Sequence, residues 1–221
     1  MKLGTIKIEA LKLMFANNDD ELTIDNRDNG AGGSAALDLN EASIDPQYRD
    51  YLNNMNGAIN RCYSILEARK VLPTKRVVLL SEGNAFAQAN AEFSLSSITD
   101  IDDIKRVTLR NQNGYMPSAD YYTEGDTLVL PLLSADCAVA LIYYPTLPRL
   151  TQTADNTQEI PVPDKIAAII PYYVKYDLFR EDSESEANTA LRRFEETLSE
   201  ITERAETYQS SVDSVVGYWG D

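Results

Sequence analysis

Three pairs of adjacent acids, Asp102-Asp103, Glu181-Asp182 and Glu195-Glu196, are the side chains best suited to acid–base work. Glycoside hydrolysis needs two carboxylates held across a cleft, one of them with a raised pKa. Neighbouring residues on a helix do not face each other, so Glu195 and Glu196 read as a solvated helix face. Asp102 and Asp103 read as loop. The stretch "GAGGSA" (30–35) satisfies G-x-G-x-x-[GA], which elsewhere lets backbone amides approach a pyrophosphate. Here no strand precedes it, no Lys-Ser/Thr follows it and acids surround it, so it reads as a flexible loop. "DNRDNG" (25–30) opens like a calcium loop, but its third position is Arg27 and its twelfth is Ala36, where a bidentate Glu is required.

Histidine is absent, which removes Ser-His-Asp and Cys-His catalysis, His-based zinc sites and the usual general base near neutral pH. Cys62 and Cys137 lie far apart, in apolar patterns and in no CxxC arrangement, and read as buried thiols. Thirteen tyrosines, among them Tyr121-Tyr122, Tyr143-Tyr144 and Tyr172-Tyr173, lack the interleaved Lys and Arg of a base-stacking surface. The residues therefore point to a scaffold or interaction protein, with no catalytic residue, no cofactor and no metal.

The net charge is −15, and it is unevenly placed. Residues 17–45 hold eight acids against Arg27, and residues 181–221 hold eleven acids against three arginines. Tight phosphate binding needs clustered Lys and Arg, and the sequence shows no such cluster. An acidic surface of this kind keeps a protein soluble and would also let DNA slide past without holding it. No apolar run is long enough to span a bilayer, and "MKLGTIKIEALKLMF" is interrupted by Lys7, Glu9 and Lys12, so neither a membrane nor a secretory segment is expected.

The elements that would position these groups follow from periodicity. Residues 4–16 read as a short helix with Ile6, Ala10, Leu13 and Met14 on one face. A long polar loop over 17–44 follows. Asp45-Pro46 starts a helix of about seven turns that ends before Pro73. Strand patterns follow at 75–80, 91–95, 105–110, 126–132 and 137–144, separated by turns such as "NQNG" and "TEGD". Asp164 opens a third helix through Phe179, which Pro171 should kink. From Glu184 the residues Ala187, Leu191, Phe194, Leu198, Ile201, Ala205 and Tyr208 step by four and three, a heptad seam that reads as ending at Ser210. The expected fold is α+β: bundled long helices, an inserted antiparallel β-domain and an extended C-terminal arm. The divisions are a helical part over 1–74, the β-domain over 75–147, a second helical part over 148–210 and the arm over 211–221.

The arm ends in "VVGYWGD", which carries the only tryptophan. Terminal residues fray unless tied down, so Val215, Val216, Tyr218 and Trp219 call for burial, either in this chain or in another.

The run "LIYYPTLPRLTQTADNTQEIPVPDKIAAIIPYYVKYDLFREDSESEANTALRRFEETLSEI" (141–201) resembles the head–tail connector, or adaptor, proteins of tailed bacteriophages. A strand ending Tyr-Tyr-Pro leads through a polar loop to Ile160-Pro161, then to helices carrying "PYYVKYDLFRED" and "ANTALRRFEETL". The resemblance implies a virion protein of the phage neck, assembled in the host cytoplasm as a ring, typically a dodecamer. Such a ring sits between portal and tail, extends the DNA channel, helps retain the genome and lets it pass during ejection. Its implied partners are the portal protein, copies of itself and the next neck or tail protein, with no membrane. It also implies that Val215, Val216, Tyr218 and Trp219 dock on the portal. Two other readings stay open on the residues alone. One is a neck- or tail-associated peptidoglycan-degrading enzyme, and the other is a ligand-binding module built on the β-domain.

Overall fold

Residues Leu3–Phe15 form α1 and Pro46–Ala68 form α2. α1 buries Leu3, Ile6, Ala10, Leu11 and Met14 along one side. The first amides of a helix have no partner within it. Here the Leu3 and Gly4 amides donate to the Gln158 and Asn156 carbonyls (2.9 and 2.8 Å), and the Ile160 amide donates to the Met1 carbonyl. Gly4 permits this approach, because a Cβ there would stand 3.0 Å from the Asn156 oxygen. α2 starts on a proline, whose missing N–H costs nothing in the first turn. It fully buries Met55, Ala58, Ile59, Cys62, Tyr63 and Leu66. Its polar flank holds the returning chain: Asn60 Nδ2 donates to the Leu150 carbonyl and Asn60 Oδ1 accepts the Leu150 amide, while Asn56 Nδ2 donates to the Thr151 carbonyl.

The computed structural model describes residues 1–15, 46–80, 90–111, 114–131 and 138–216, the side chains of 46–47, 110–118 and 204–216 excepted. The chain forms two compact units, Met1–Leu66 with Pro148–Asp221, and Glu67–Leu147.

The second unit holds seven strands: β1 (Lys75–Leu80), β2 (Asn90–Ser94), β3 (Ile101–Asn111), β4 (Gly114–Ser118), β5 (Tyr122–Glu124), β6 (Thr127–Pro131) and β7 (Ala138–Pro145). One antiparallel sheet has the order β1-β7-β3-β4 and the other the order β2-β6-β5. Ala91, Phe93, Leu128 and Leu130 of the smaller sheet meet Val107, Val139, Leu141 and Tyr143 of the larger in one buried cluster. Between β5 and β6 a two-residue turn puts Gly125 at φ +57°, where glycine meets no steric penalty. The two ends of the unit are tied, since the Leu147 amide donates to Glu67 Oε1 at 2.6 Å.

The fold is α+β, with helices and small antiparallel sheets. Several expectations need correction. β3 begins at Ile101, so Asp102 and Asp103 are strand residues and not loop. β4 and β5 have no counterpart in the sequence reading. β4 contains Pro117, which a sheet accepts on an edge strand because no ladder amide is needed there. Pro171 breaks the third helix outright: α3 spans Asp164–Ala167 and α4 spans Ile170–Phe179. Pro171 opens α4 in its first turn, where the absent N–H has no bond to lose. The last helix, α5 (Glu184–Val216), does not stop at Ser210. Val212 and Val215 prolong the seam by further steps of four and three.

Candidate functional site

The longest helix described is α5, and α4 packs against it. Tyr173 of α4 packs at a tilt against Phe194 of α5, ring centres 5.4 Å apart and planes at 56°. Lys175 of α4, with 12% of its side chain exposed, donates to Glu186 Oε2 at 2.8 Å and to the Leu13 carbonyl at 2.6 Å. Its ammonium also lies 5.3 Å from the Phe179 ring. α4 is fixed in turn by α1 and α2. Phe179 meets Phe15 edge-on, Arg61 pairs with Asp177, and the Tyr51 hydroxyl donates to Asp182. Burial in this cluster, helped by Asp182, pushes the Tyr51 hydroxyl up to about 12.

Along α5 the buried positions Ala187, Ala190, Phe194 and Leu198 form one stripe, and Glu195, Glu196, Glu200 and Glu203 are exposed. Glu184 and Glu186 in the first turn favour the positive end of the helix dipole. The hydroxyls of Thr189, Thr197 and Thr202 bond back to carbonyls four residues earlier, so they need no partner elsewhere. At about 1.5 Å per residue α5 spans about 50 Å and α4 about 15 Å. α5 therefore outruns its hairpin partner by more than half its length. Of the expected docking residues, Val215 and Val216 form the last turn of α5, while Tyr218 and Trp219 lie outside the described residues.

The groups singled out for chemistry take ordinary places. Asp103 pairs with Lys70. Glu196 pairs with Arg192 at 2.8 Å, and Asp182 is taken by Tyr51. A general acid needs a raised carboxyl, yet Asp100 moves the other way, held low first by the Lys75 ammonium and then by the Tyr143 hydroxyl. Burial pushes the Cys62 thiol up, which suppresses the nucleophilic thiolate. Cys137, "GAGGSA" and "DNRDNG" lie outside the described residues. Among the described residues no group of three His, Cys, Asp or Glu could hold a metal ion, and no helix is long and apolar enough to cross a membrane.

One cluster escaped the sequence reading. All seven Lys and Arg of residues 67–147 fall within 69–76 and 105–110. β7 joins the two stretches: its Ile142 pairs with Arg76 of β1 on one side and with Arg106 of β3 on the other. The cations absent as a linear cluster are thus gathered by strand order. The repeated "KRV" at 75–77 and 105–107 was the available signal.

Residues 2–215 match the SU10 adaptor protein family, a span from the start of α1 to the last turn of α5. The chain belongs to that family. No curated protein matches the chain. As a phage adaptor it is a structural component of the virion that joins other phage proteins.

Proposed function

We propose that the chain forms a ring between portal and tail, extends the DNA channel, and helps retain and pass the genome. In this reading the two helical parts form the body of each copy, the β-domain is an insertion, and the C-terminal residues anchor each copy in the portal. The observation that carries the proposal is α5. Its first half is packed by α4, and its backbone continues as helix to Val216, well beyond the length of α4. Aromatic anchors at such sites are worth about 2 kcal/mol or more each. The acidic composition supports the same reading, because a DNA conduit works better when it repels phosphates than when it holds them.

The test is native mass spectrometry of the chain mixed with the portal of the same virus. The intact chain should add a fixed number of copies per portal. A chain ending at Val216, and a full-length Trp219→Ala variant, should bind at least about ten-fold more weakly. Equal binding by all three would remove Tyr218 and Trp219 from the interface.

A further inference from the structure

We propose that the outer face of the β1-β7-β3 sheet is a contact for the acidic face of α5 on a second copy of this chain. The proposal rests on the ring reading above and names which surfaces meet.

Strand alternation defines the face. Val77, Leu79, Leu141 and Val107 point into the buried cluster, so Arg76, Val78 and Leu80 of β1 and Arg106 of β3 point the opposite way. A register shift between Ile104 and Arg106 inserts Lys105, whose ammonium lies 5.7 Å from the Tyr144 ring. Lys70 lies 5.2 Å from the same ring and pairs with Asp103. Cations therefore line this face in a chain whose net charge is −15.

Two independent observations favour a protein partner over a nucleic acid. First, Val78 and Leu80 are 41% and 73% exposed on the same side of β1 as Arg76, and they are two of the most exposed large apolar residues described. Phosphates have no use for a bare leucine, whereas protein interfaces combine apolar residues with arginine and tyrosine. Second, Asp103 among the cations weakens a phosphate site without weakening a paired protein contact. The second copy as partner follows from charge. Copies carrying −15 each repel at long range, so contacts between neighbours are favoured where the sign locally reverses. The cationic sheet face is such a place. Glu196, Glu200 and Glu203, exposed at steps of four and three on α5, supply its complement, Glu196 alongside its own exposed pair with Arg192. The contact is head-to-tail, the kind that closes rings.

The experiment counts copies on the portal of the same virus by native mass spectrometry at limiting protein. It compares the full chain, Arg76→Glu/Arg106→Glu, Glu196→Arg/Glu200→Arg, and an equimolar mixture of the two variants. These positions are exposed, and circular dichroism of each variant serves as the check on folding. The wild type should fill rings cooperatively. Each variant alone should need about ten-fold more protein, and the mixture should recover filling, because each reversed face then meets a complementary one. Full rings from Arg76→Glu/Arg106→Glu alone would overturn the contact and leave the ring reading intact. A wild type that neither binds portal nor self-associates would overturn both. Normal ring filling with lost affinity for a DNA duplex would reassign the face to nucleic acid.

Discussion

Asp100 sits between two donors, the Lys75 ammonium and the Tyr143 hydroxyl, the latter at 3.0 Å. Its carboxyl is held below the usual carboxylate range, so the folded chain binds fewer protons there than the unfolded one. That contribution is present above about pH 4 and is lost as pH falls through the folded value. Tyr143 behaves oppositely. Burial and then Asp100 push its hydroxyl up to about 12, so its contribution is present below about pH 10 and is lost as pH climbs toward 12. The wild type should lose urea resistance between pH 4 and pH 2, and Asp100→Asn should flatten that limb and bring one tyrosinate absorbance transition down. An unchanged acid limb in the variant would refute the assignment. Lys70 offers a second residue-scale prediction. It caps α2 at φ +52°, its amide donating to the Glu67 carbonyl, in a region that favours glycine. Lys70→Gly and Lys70→Ala both lose the ion pair with Asp103, an exposed pair of small worth. Only glycine also relieves the backbone, so denaturant melts should place it about 1 kcal/mol above alanine. None of these three-dimensional pairs could be read from the sequence, since Asp100 and Tyr143 are far apart along the chain.

Elements follow periodicity well where one side is buried and poorly where breakers or short strands intervene. α1, α2, β1 and β7 stand close to where their apolar spacing puts them, because each packs one apolar side on a core, fully buried in α1, α2 and β7 and partly buried at Val77 and Leu79 of β1. β5 has three exposed residues and offers no alternation to detect. β3 reaches further back than its apolar pattern predicts, because pairing with β7 carries the polar Asp102-Asp103 stretch. The seam reads as ending at Ser210, yet Val212 and Val215 keep its step and the helix runs to Val216. Two variants test how elements hold together. Asn60 donates to one Leu150 backbone group and accepts from the other, and Leu150 is 7% exposed. Asn60→Ala leaves both without that partner and should cost about 2–3 kcal/mol, with Asn60→Asp, which keeps only the acceptor, falling between. Thermal melts that leave Asn60→Ala at wild-type stability would mean the return segment is held otherwise. Phe194→Ala removes a ring that is 1% exposed against Tyr173 and should cost about 3–5 kcal/mol.

At the scale of the molecule, the residues proposed to dock on the portal are legible as a composition of valine and aromatics in the last residues of the sequence, while the cationic sheet face is not. The first needs only a list of residue types, whereas the second needs β7 to lie between β1 and β3. The two proposed contacts also separate by unit, α5 in the first and the sheet in the second. The second unit enters and leaves through neighbouring points, because Glu67 reaches the Leu147 amide with its side chain. Replacing residues 71–145 by a short Gly-Ser linker therefore closes a gap that the fold already closes, at a loop entropy cost of order 1 kcal/mol. The shortened chain keeps α1, α2, α4 and α5 with the contacts of Tyr173, Lys175 and Asn60. Circular dichroism should show a cooperative helical melt. On the portal it should bind through its C-terminal end, one copy at a time, with no cooperative ring filling. Cooperative filling without the second unit would place the contact between copies within the helices. Loss of portal binding, with the helices still folded, would place the anchor in the sheet unit instead of at Val215, Val216, Tyr218 and Trp219.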